Sequence, residues 1–256
     1  MAEFGSEKRK HPAQPRRLLS KRTHSAHGED PCLSQEPHPS ATVVIVRDEG
    51  EALELLLLER RPRKAGAKPG PWVFPGGKVE EVDRNADNDN ELGRARLAAV
   101  REVAEETGLA VDAGQLVPIS RWITPQQSPR RFDTWFFITR APEAQAVQVD
   151  GKEIAHHRWL TAQQALDAHH AGTIPLAPPT FVTTTWVKDQ ETAAGAIENL
   201  GNATFLTFRP KICSHPEGTA MLYPGDAGYE ESDPNRAGPR HRLWALEQGY
   251  RYERDT

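Results

Sequence analysis

The chain has 256 residues, 27% of them charged, and a formal net charge of −4. That length can bury a sizeable core and favours one domain with an extension over two equal domains, while the acidic balance argues against a nucleic-acid-binding body. Cys32 and Cys213 are the only cysteines, which excludes a disulfide framework and a cysteine metal site and fits a reducing, cytoplasmic setting.

Residues 1–39 hold almost no large apolar residues and are expected to be a disordered tail. "EFGS" at positions 3–6 looks vector-derived. No signal peptide is legible, and the longest apolar run, "LELLLL" at 53–58, is far too short for a membrane span. "ATVVIVRD" at 41–48 and "EALELLLLER" at 51–60 read as adjacent strands turning at Glu49-Gly50. A basic stretch follows. Arg60, Arg61, Arg63, Lys64 and Lys68 are either an exposed basic loop or a surface for phosphates, with Arg61, Arg63 and Lys68 the substrate-binding candidates.

Residues 72–109 are the informative stretch. After Trp72 and Phe74, Gly76 and Gly77 permit a tight turn that leaves room for a ligand, which makes Phe74 a further binding candidate. "RLAAVREVAEET" is rich in helix formers and Gly108 stands where a left-handed cap would end the helix. On that helix Glu102, Glu105 and Glu106 share one face. Such a cluster is most often a solvated face. Like charges this close repel, however, and the oxygen donors suit a hard divalent cation, Mg²⁺ or Mn²⁺. Arg101 can hold a carboxylate in a fixed orientation through its planar fork.

Downstream, "DTWFFITR" reads as a strand, with Arg130 and Arg131 just before it either placed to reach a phosphate or standing as strand-end surface charge. Trp122 and Phe132 are weaker candidates, because aromatic residues are more often core than platform. A short strand at Trp159-Leu160 leads through an N-cap at Thr161 to a helix ended by Gly172. The pairs His156-His157 and His169-His170 diverge on a strand or a helix and are not read as metal ligands. Residues 178–200 suggest two helices stopped by Gly201, and residues 203–256 read as β-rich. This extension either completes a ligand pocket or forms a homodimer surface.

The stretch "REVAEETGL" resembles the second half of the Nudix box, G-x5-E-x7-R-E-U-x-E-E-x-G-U with U aliphatic, and matches it at every fixed position. The first half departs from the pattern. Asp83 stands at the Glu position, and 17 residues rather than seven separate it from Arg101; the excess is placed in a solvated loop, "RNADNDNELG" at 84–93. The resemblance implies an α/β/α sandwich around a mixed β-sheet over residues 40–172, with an α+β extension over 173–256. It implies Mg²⁺ or Mn²⁺ held by Glu102, Glu105 and Glu106 with Gly77. Glu153, in the position of a downstream loop acid, joins this set. Glu105 would be the proton acceptor, and Glu102 and Arg101 would also serve catalysis.

Residues 57–77 also resemble, in part, the coenzyme A diphosphatase signature of that family, LL-T-x-R-[SA]-x3-R-x3-G-x3-FPGG. Leu57, Leu58, Arg61, Gly70 and "FPGG" agree, while Glu59, Pro62 and Gly66 do not. "RWITPQQSPRRFDTWFFITR" at 121–140 is similar to a run in the acyl-coenzyme A diphosphatases that carry an insertion in the box. The expected partner is therefore a small nucleoside diphosphate derivative, with no nucleic acid and no membrane. Two alternatives stay open: a diphosphatase for ADP-ribose, dinucleotides or nucleotide sugars, and a non-catalytic nucleotide sensor, disfavoured because all three acids are present.

Overall fold

The computed structural model describes Met1 and residues 36–62, 70–84 and 89–255. The expected tail before residue 36, together with Arg63, Lys64 and Lys68, lies outside the described residues. In chain order the strands are β1 (His38–Glu49), β2 (Ala52–Arg60), β3 (Trp72–Val73), β4 (Gly76–Lys78), β5 (Val117–Ile123), β6 (Phe132–Arg140), β7 (Ile154–Thr161), β8 (Leu206–Phe208), β9 (Lys211–His215), β10 (Gly218–Leu222), β11 (His241–Leu246) and β12 (Gly249–Arg254). The helices are α1 (Glu91–Thr107), α2 (Ala162–His170), α3 (Pro178–Lys188) and α4 (Ala193–Asn202).

The expected hairpin forms: β1 and β2 pair antiparallel, and Gly50 supplies the left-handed φ of 60° at their turn. β1 pairs in parallel with β6, and β5 with β8, within a mixed eight-stranded sheet. Side chains alternate across this sheet. Val43, Ile45, Leu56 and Leu58 face α1, whose Ala95, Ala98 and Ala99 let the helix approach closely. Val44, Val46, Leu55 and Leu57 face α2, α3 and α4. The result is an α/β/α sandwich. Each fully buried Leu contributes about 1.5–3 kcal/mol, so the two faces fix the register strongly.

The last four strands form a separate antiparallel sheet ordered β12-β11-β10-β9. Its buried ion pair joins Arg242 Nε and Nη2 to the Asp226 carboxylate at 2.7 and 2.6 Å. The extension is stitched to the core. β8 adds to β5, and Phe208 on β8 stacks on Trp122 with ring centroids 3.8 Å apart. Trp122 is therefore primarily a packing residue.

Several sequence boundaries shift. β1 begins at His38, inside the expected tail, because its first residues pair with Phe132 and Asp133. Glu91, Leu92 and Gly93 belong to α1 instead of the solvated loop, since Asn90 caps the helix by accepting the Gly93 N–H at 2.8 Å. The strand at Trp159-Leu160 extends back to Ile154 against β2. Gly201 lies inside α4 and does not stop it; a Cβ there would sit 2.7 Å from Val117 Cγ1, so the glycine serves close approach to β5. Thr161 caps α2 in a capping box, and Gly172 beyond it is left-handed, as expected.

Candidate active site

The acidic helix and the glycine turn meet. Gly76 adopts φ 153° beside Thr42 of β1, and a Cβ on it would lie 2.3 Å from the Ala41 carbonyl oxygen. Its N–H donates to Glu106 Oε2 at 2.9 Å, and its carbonyl accepts from Arg60 Nη2 at 3.1 Å. Gly77 is the cradle of Glu102: a Cβ there would fall 2.3 Å from Glu102 Oε1. The Gly77→Ala variant is expected to keep its fold, because the displaced group is a side-chain end, but to lose turnover at least tenfold; matched melting curves and initial rates check this.

Arg101 organises the opposite side. Its Nε and Nη2 both reach the Asp83 carboxylate at 2.9 Å, and its Nη1 reaches Glu102 at 2.9 Å and Glu105 at 3.3 Å. Asp83, only 3% exposed, also accepts the Glu80 N–H at 2.8 Å. The Glu-to-Asp change in the box thus leaves a buried carboxylate that orients Arg101. Burial raises the Glu102 carboxyl above its ordinary range against the pull of Arg101. Burial pushes Glu106 up to about 7, opposed by the Gly76 N–H and the Arg60 charge. Among the described residues no three acidic, histidine or cysteine side chains converge on one point; Glu102 and Glu105 both meet Arg101 Nη1, while Glu106 turns to the Gly76 N–H.

Glu153 precedes β7 in a loop nucleated by Asp150, whose carboxylate accepts the N–H groups of Lys152, Glu153 and Ile154. The Glu153 charge is felt by both Glu102 and Glu106. A cavity of about 1440 Å³ gathers the acids, Gly77, Phe74, Phe132, Arg130 and Arg60. Arg61 and Arg131 do not line it. Arg61 has an exposed side chain and contributes its backbone N–H to the Glu153 carbonyl at 2.8 Å, and Arg131 lies against the Thr124 carbonyl at 3.4 Å. Arg63 and Lys68 lie outside the described residues. Among the described residues of the basic stretch, Arg60 and not the expected Arg61 lines the cavity. Strand parity was the available signal, since Leu56 and Leu58 on the same face of β2 pack toward α1.

The family model of the NUDIX domain matches residues 36–178, more than half of the chain, including the glycine turn, Arg101 and the four glutamates described above. The chain belongs to the Nudix hydrolase family. A Caenorhabditis elegans protein named as a nudix hydrolase is 25% identical over 68% of this chain and 69% of its own length. The Xenopus laevis acyl-coenzyme A diphosphatase NUDT19 is 23% identical over 74% of both chains. The human acyl-coenzyme A diphosphatase NUDT19 is 28% identical over 75% of this chain, which spans about half of that relative's length. The solved NUDIX hydrolase of Alicyclobacillus acidocaldarius superposes with a TM-score of 0.56, covering 64% of this chain and 97% of its own at 23% identity, and supports the Nudix fold. Among the described residues no helix is long and apolar enough to cross a membrane.

Proposed function

We propose that this Nudix hydrolase cleaves the diphosphate of coenzyme A or an acyl-coenzyme A in the presence of Mg²⁺ or Mn²⁺. The observation that carries the reading is that the acids, Arg60 and Arg130 share one cavity with uncharged residues of the C-terminal extension; the printed names of the frog and human relatives point to the same substrate class. The donor set fits a hard divalent cation: all its side-chain donors are carboxylate oxygens, and Glu106, a carboxylate buried at 5% exposure, has no ion-pair partner among the described residues. Glu102, Glu105 and Glu106, with Glu153 and Gly77, would hold it. When bound, the cation neutralises diphosphate oxygens and lowers the pKa of a water.

The chain's own residues do the rest. Arg60 and Arg130 meet the anionic end of the substrate, and Arg101 orients Glu102 and Glu105. Glu105, exposed and held by Arg101 at 3.3 Å, accepts the proton of the attacking water. The water oxygen bonds to phosphorus, the bridging P–O bond breaks, and the second phosphate leaves with the bond pair.

Incubation of coenzyme A with enzyme and Mg²⁺ is expected to release adenosine carrying 3′ and 5′ phosphates plus phosphopantetheine. Chelation by EDTA is expected to stop this, and Mg²⁺ to restore it. Release of AMP from dinucleotides or ADP-ribose, with coenzyme A and acyl-coenzyme A untouched, would overturn the substrate; no turnover on any diphosphate would favour a nucleotide sensor.

A further inference from the structure

We infer that the four-stranded C-terminal sheet forms the binding wall for the acyl-pantetheine half of the substrate, and that Ile212 and Met221 set its preference for acyl chain length. The inference rests on the substrate reading above. Ile212 and Met221 are directly opposed cross-strand partners on β9 and β10, so their side chains emerge on the same face. Their neighbours Cys213, Ala220 and Leu222 point the other way, into a separate cluster with Trp244. Ile212, Met221 and Tyr223 instead line the cavity that begins at Glu102 and Glu106.

Two observations identify the occupant. First, Ile212 is 46% exposed, a large apolar side chain left in water at the mouth of a cavity it lines. Second, the residues that the extension contributes to the lining, from Ala177 at the start of α3 through Pro210 to Tyr223, include no charged side chain. A phosphorylated nucleoside placed there would lose hydration without a counter-charge, whereas the neutral acyl-pantetheine arm loses little. The cations among the described lining residues, including Arg60 and Arg130, come from the main domain, which assigns the nucleotide to that side.

The test compares dodecanoyl-coenzyme A with acetyl-coenzyme A in wild type, Ile212→Asp and Ile212→Leu, each confirmed folded by thermal melting. A charge on the wall is expected to lower the ratio of kcat/KM for the dodecanoyl over the acetyl ester at least tenfold, through KM, and Ile212→Leu is expected to restore it. Should wild type hydrolyse both esters and Ile212→Asp leave the ratio within twofold, the inference is overturned while the proposed function stands. Should wild type hydrolyse neither ester, the inference falls, and the proposed substrate falls with it if free coenzyme A is also left intact.

Discussion

Glu106→Gln is expected to reduce turnover by a factor of about 10² or more while making the metal-free protein more stable at alkaline pH. Glu106 sits almost fully buried, and its pKa is raised from 4.5 to about 7. Between those values the native state holds a proton that the unfolded chain has released. Stability therefore falls as pH rises through this window and stays reduced above it. A shift of this size corresponds to about 3 kcal/mol at pH 8. Gln keeps an oxygen to accept the Gly76 N–H, so the substitution removes the desolvated charge and leaves the hydrogen bond. In EDTA at pH 8 the variant is expected to melt several degrees above wild type, and below pH 4.5 the two should coincide. Addition of Mg²⁺ should raise the melting temperature of wild type more than that of the variant. Full activity in Glu106→Gln would remove this carboxylate from the reaction.

Arg101→Met is expected to destabilise the fold by about 3–5 kcal/mol, because it strands Asp83 as a buried charge without a partner. The two Arg101–Asp83 contacts at 2.9 Å fix the short Glu81–Asp83 turn against α1, and a third, from Arg101 Nη2 to the Lys78 carbonyl at 2.9 Å, ties β4 to the same guanidinium. The double variant Arg101→Met with Asp83→Leu separates the two roles of the pair. It is expected to recover at least half of the lost stability in urea unfolding and none of the lost turnover, since Glu102 and Glu105 remain unoriented. A single variant within 1 kcal/mol of wild type, by the same measurement, would mean that Asp83 finds another partner or takes up a proton.

Local patterns in the sequence carried most of the site. The left-handed Gly108 that ends α1, the acidic stripe at 102–106, the Gly76-Gly77 turn and the Thr161 cap each depend on residues within a few positions of one another. Other features depend on pairs far apart. Arg60 rather than Arg61 enters the cavity because of β2's parity, and Asp83 finds Arg101 only once the intervening segment returns to α1. β8 joins β5 across more than 80 residues, which no periodicity within 203–256 could reveal. The alternation of β9 and β10 was readable, but not which face would meet the cavity.

The residues added to the Nudix box end in the first turn of α1, where Asn90 caps the helix and Glu91 reaches Arg121 and Trp135. Lengthening a helix at its start leaves the angular position of every later side chain unchanged. One residue inserted between Arg101 and Glu106 would instead rotate part of the stripe by about 100° and carry acids away from the glycine turn. Lineages can therefore gain or lose sequence at this point without disturbing the chemistry, while the six positions from Arg101 to Glu106 tolerate no change in length.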